Sequence, residues 1–116
     1  MTSPATLAER IETIESGYEF MLAYAAQGRE DDQAGGPGPH IRDVLAGMET
    51  ALDGLADAVT IDAGQFAAVL REDAAKARAA VQFVLAQQRI SSQRVDNLNA
   101  SIHLRALLTD LFLLDS

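Results

Sequence analysis

Apolar residues recur along most of this chain at alternating steps of four and three, the spacing of one face of an α-helix. Leu7, Ile11, Ile14, Tyr18, Met21 and Ala25 form the first such stripe. Ser3 followed by Pro4 predicts the start of that helix, because the serine oxygen can accept an orphan N–H and a proline at the first helical position forfeits no hydrogen bond. Gly28 predicts its stop. A second stripe runs through Ile41, Leu45, Met48, Leu52, Leu55 and Val59, widened by Val44. A third runs from Phe66 through Leu70, Ala74, Ala77, Val81, Val84 and Leu85 to Gln88, opened by Asp62 and Gln65 at capping-box spacing. A break around Ile90, Ser91 and Ser92 offers a cap for a fourth helix, whose inward positions are Val95, Leu98, Ile102, Ala106, Thr109 and Leu113. No run alternates with period two, so no strands are expected.

These stripes predict helices over about 4–27, 39–59, 63–89 and 92–114. The stretch "REDDQAGGPGPH" between the first two combines acidic residues with glycines and prolines, which predicts a flexible loop over 28–38. Helices of similar length joined by one longer and two short connections predict an all-α fold, a four-helix up-down-up-down bundle forming a single domain over 1–116. Were the break at Ser91 and Ser92 only a kink, helices three and four would make one rod about 75 Å long, and a second chain would complete the bundle. The second helix also carries a line of small residues, Gly47, Ala51, Gly54 and Ala58. Glycine inside a helix costs about 1 kcal/mol relative to alanine, so this line suggests a close backbone approach.

The fourth helix holds more apolar surface than one bundle can bury. Opposite its inward stripe, Leu104, Leu107, Leu108, Leu111 and Leu114 are interrupted only by Arg105, Asp110 and Asp115. Burying even three leucines contributes about 5 to 8 kcal/mol before the costs of association, and large exposed apolar patches mark contact sites. These five leucines are therefore expected to form an interface. A homodimer is the economical arrangement, because a two-fold axis lets one patch cover its own copy. Tyr18, Phe20 and Tyr24, clustered in "GYEFMLAYAAQG", are expected to join that interface.

Composition narrows the function classes. With 116 residues, 48% of them apolar, the chain can bury one core without covalent staples. It has no cysteine, which excludes disulfides, thiolate metal sites and a cysteine nucleophile, and agrees with a cytoplasmic setting. A formal net charge of −8 repels nucleic acid and anionic membranes on average. "MTSPATLAER" lacks the basic and apolar regions of a secretory leader, so none is expected. The greasy stretch Leu104 to Leu114 is far shorter than the roughly 20 residues a membrane span needs.

Candidate chemistry is sparse. Metal sites in helical bundles use a glutamate followed three residues later by a histidine, so that both project inward from one face. Pro37 and Ala100 stand where His40 and His103 would need that glutamate. His40 precedes Asp43 by three, a single pair in a solvated first turn. His103, in "ASIHLRALL", raises a histidine phosphotransfer reading, which needs an open imidazole, a basic residue one turn away and a small neighbour. Arg105 instead lies about 200° round the helix, and Leu107 would obstruct access. Asp73 and Arg105 fall near the inward stripes of helices three and four and would pair if both were sheltered. Glu9, Glu12, Glu15 and Glu19 read as a solvated acidic face. The chain has no glycine-rich phosphate loop after a strand, no nucleophile elbow, and no basic patch with interleaved aromatics.

No catalytic residue, cofactor or metal is expected. The expected function is that of a small acidic helical interaction or accessory protein without intrinsic catalysis. It would associate with itself or with a protein partner through its apolar C-terminal helix. The alternatives are a small-ligand or metal-binding helical bundle, or a phosphotransfer-like domain using His103.

Overall fold

The computed structural model describes residues 5–33, 36 and 38–115. All regular structure among them is helical: α1 Leu7–Ala25, α2 Ile41–Leu52, α3 Phe66–Leu85, α4 Ser92–Ala100 and α5 Ile102–Asp115, with a short 3₁₀ turn at Ala56–Ala58. The helix α1 lies against α2 and α4, and α3 lies against α2 and α5. The longest dimension is 45 Å, too short for a continuous rod through helices three and four.

The expected start at Ser3 and Pro4 lies outside the described residues. Helix α1 opens instead on a capping box in which Thr6 Oγ1 accepts from the Glu9 N–H at 3.2 Å and the Glu9 carboxylate accepts from the Thr6 N–H at 3.1 Å. Helix α2 ends at Leu52 rather than Val59, because Asp53 is extended and Gly54 turns with φ +79°. The carbonyls released there are taken by a residue of another helix. Arg10 of α1 donates to Thr50, Ala51 and Asp53 at 3.4, 3.1 and 2.6 Å, placing a cation at the negative end of α2.

The capping box expected from Asp62 and Gln65 does not form. Asp62 accepts from the Gly64 N–H in a tight turn, and α3 begins beyond it at Phe66. Along α3 the spacing reads correctly: Leu70, Ala74, Ala77, Val81 and Val84 are all buried. The helix glycine that admits a close neighbour is Gly17 of α1, against which the Met48 side chain packs, rather than one in the small-residue line of α2. A Cβ on Gly17 would overlap Met48 Sδ and come within 2.5 Å of Met48 Cγ, whereas one on Gly47 would meet only the Thr13 methyl at 3.9 Å.

Where one fourth helix was expected there are two. Ser101 adopts φ −64°, ψ 140°, ending α4, and its hydroxyl accepts from the Leu104 N–H at 3.3 Å to start α5. This extended residue turns the inward face of the chain. On α4, Val95 and Leu98 are buried as expected. On α5, Leu104, Leu107 and Leu111 are buried, while Ile102 and Leu113 are 74% and 62% exposed. The expected inward stripe of this half is the outward one.

The segment expected to be a flexible loop is partly fastened to the turn between α3 and α4. Ser92 and Arg29 exchange two hydrogen bonds of 2.8 Å, Arg29 N–H to Ser92 Oγ and Ser92 N–H to Arg29 carbonyl. Asp32 accepts from the Ile90 N–H and from the Arg42 guanidinium, both at 3.0 Å. Arg42 also donates to the carbonyls of Leu85, Gln87 and Gln88, capping the end of α3. Acidic composition suggested mobility for 28–33, but Asp32 is an anchor because an arginine and a free backbone N–H meet it.

Candidate functional site

Between α1 and α5 runs a groove of about 420 Å³ lined by Glu15, Tyr18, Glu19, Arg105, Leu108, Thr109 and Phe112. Its geometry follows from helix periodicity. Residues 15, 18 and 19 share one side of α1, and 105, 108, 109 and 112 share one side of α5 at spacings of three and four. Tyr18 and Leu108 are half-buried against the core, whereas Phe112 is 66% exposed. One rim carries Glu15 and Glu19, the other Arg105, and none of the three belongs to an ion pair among the described residues. Beside the groove, exposed Ile102 and Leu113 continue an apolar strip along the outer side of α5.

This surface differs from the one expected. Leu104, Leu107, Leu111 and Tyr24 are buried inside the chain, so these four expected interface residues serve the core. Leu108, Leu114, Tyr18 and Phe20 are half-buried; Leu108 and Tyr18 line the groove, and Phe20 lines a separate cleft between α1 and α2. Ile102 and Leu113, inward by an unbroken helix phase, face out with Phe112 because the extended Ser101 breaks that phase.

A buried acidic pair stands on the opposite side of α5. Asp110 is 6% exposed, its Oδ2 has no hydrogen-bond partner among the described residues, and its carboxyl lies near that of Asp73 on α3. Burial first, and then the neighbouring carboxyl, push its pKa up to about 7. Asp73 and Arg105, which would pair only if both were sheltered, do not: Arg105 is exposed and lines the groove beside α1, and Asp73 lies near Asp110 instead. Asn99, buried on α4, has neither amide atom partnered among the described residues.

Elsewhere, buried polar groups tie the end of α1 to the start of α4. Tyr24 donates its hydroxyl to the Ile90 carbonyl, and Ser92 donates to the Tyr24 carbonyl at 2.6 Å. Burial raises the Tyr24 pKa. Burial also acts upward on Asp32, but its hydrogen bonds from Arg42 and Ile90 hold the net pKa below the usual aspartate value. His103 is exposed in the first turn of α5, with Arg105 turned into the groove. His40 is exposed at the N-cap of α2 and makes no side-chain cap bond. Among the described residues no three histidine, aspartate or glutamate side chains converge as a metal site. Nor is any described helix long and apolar enough to cross a membrane. The chain matches no protein-family model, no curated protein and no solved structure.

Proposed function

We propose that this chain is a non-catalytic interaction module that binds another protein surface through the outer face of α5 and the adjoining α1 groove. The observation that carries this reading is the exposure of Ile102, Phe112 and Leu113 on a helix whose other side already fills the core. Apolar area of this kind is stabilised by a covering chain. The same reading takes the architecture as an up-down-up-down bundle whose fourth member is broken at Ser101, supported by the packing of α1 on α2 and α4 and of α3 on α2 and α5.

A photo-crosslinking residue at position 113, compared with one at exposed Glu72 of α3, tests the surface. Cross-linking to one defined species, the chain itself or a single partner, at 113 well above 72 supports the reading. Equal background yields at both positions, with the fold intact by circular dichroism, overturn it.

A further inference from the structure

We propose that the occupant of the α1–α5 groove is a second copy of this chain, related by a two-fold axis running along the groove. The proposal rests on the reading of this face as an interaction surface and names its partner. Three features of this face bear on the arrangement.

The first is charge. Glu15 and Glu19 stand on the α1 rim and Arg105 on the α5 rim, and no ion pair spans the groove within the protomer. A two-fold axis parallel to the groove lays each α5 over the partner's α1, so that Arg105 of each protomer meets the acidic rim of the other. An axis across the groove would instead set acid on acid. The charges thus select one orientation.

The second is shape. Phe112 projects from the α5 rim beside a concavity floored by Tyr18 and Leu108. In the same orientation the Phe112 ring of each protomer enters the other's groove, a reciprocal knob and hole of the kind an isologous contact requires.

The third is extent. A stable interface takes about 800 Å² from each partner, roughly a ninth of the 7068 Å² accessible surface of this chain. The groove alone is too small for that. Exposed Ile102 and Leu113 lie on the adjoining face of α5, where the same two-fold arrangement would extend the contact.

Sedimentation equilibrium on the full chain at 1 to about 100 μM, within the concentration range such interfaces sample, tests the proposal with a charge-reversal cycle. The expected results are a wild-type dimer, at least tenfold weaker dimerisation in both Arg105→Glu and Glu15→Arg/Glu19→Arg, and a recovered dimer when the two variants are mixed. All substituted side chains are exposed, and unchanged circular dichroism spectra will verify folding. A dimer indifferent to these changes but lost in Ile102→Ser/Leu113→Ser overturns the groove geometry while leaving the interaction reading intact. A wild-type monomer throughout the range overturns the second copy as occupant. In that case cross-linking from position 113 to a different protein would keep the interaction reading, and background yield there would end both.

Discussion

Asp110 of α5 is buried with its carboxyl near that of Asp73 on α3, and among the described residues neither acid forms a salt bridge. The Asp110 pKa lies near 7 in the folded chain, above the ordinary aspartate value of 3.8. The folded state therefore binds more protons than the unfolded state between these values. The resulting stabilisation is complete below about pH 4 and is lost as pH rises through about 7. Thermal melts from pH 5 to 8 should show the wild type losing stability relative to Asp110→Asn, which cannot titrate there. Parallel curves for the two proteins would refute the raised Asp110 pKa. Asp32 works with the opposite sign: its lowered pKa contributes stability above the ordinary aspartate value that is lost as pH falls through its folded value.

Gly17 should resist even the smallest enlargement. Met48, fully buried, fills the space a Cβ would take. The helix-propensity gain of alanine, about 1 kcal/mol, is expected to be outweighed by overpacking of about 1–3 kcal/mol. Urea unfolding should place Gly17→Ala below wild type, and the penalty of Gly17→Ala should shrink in a Met48→Ala background. Additive effects of the two substitutions would mean that their side chains do not compete for this space.

The fastening of α1 to the start of α4 runs through buried hydroxyls. Tyr24→Phe leaves the Ile90 carbonyl without its donor, and Ser92→Ala removes both the acceptor of the Arg29 N–H and the donor to the Tyr24 carbonyl. Tyr24→Phe should cost about 1–3 kcal/mol, the penalty of a buried polar group left unpaired, and Ser92→Ala, after which the Tyr24 carbonyl keeps the Gln27 N–H, about 0.5–1.5 kcal/mol for each hydrogen bond lost. Hydrogen exchange provides a local readout, with faster exchange expected at the Arg29 and Ile90 amides in Ser92→Ala.

The two sides of α5 should respond to substitution in opposite ways. Leu104→Ala, Leu107→Ala and Leu111→Ala are each expected to lower stability by about 2–5 kcal/mol through cavity formation. Ile102→Ser and Leu113→Ser should change the stability of the unassociated protomer by about 0.5 kcal/mol or less. Denaturant midpoints measured at low protein concentration decide between this pattern and its reverse, which is the pattern helix spacing alone predicts.

Much of the helical core was legible because its evidence is local. Leu45, Met48 and Leu52 on α2, and Leu70, Ala74, Ala77, Val81 and Val84 on α3, keep four-three spacing within uninterrupted helices and are all buried. The Ser91 cap was legible for the same reason, since its oxygen reaches the N–H of Arg94 three residues on. The groove was not. It needs α1 and α5 to face one another across a gap, and it needs the phase of α5, which one residue changes. Asp110 had a weak signal, lying three residues after Leu107 and beside Leu111, but that signal speaks only when those leucines are read as core.

By itself the sequence determined the helical class, the main helices, the seam of α3 and an unusually apolar final helix, because periodicity and caps act over a turn or two. Tertiary structure decided which side of that final helix faces out. The ψ of Ser101 redirects the chain, and packing against α3 then buries Leu104, Leu107 and Leu111 instead of Ile102 and Leu113. Tertiary structure also decided which charged residues are anchors: Arg10 and Arg42 cap helices distant in sequence, and Asp110 meets Asp73. Those contacts depend on where separate helices meet in space, information that short-range periodicity does not carry.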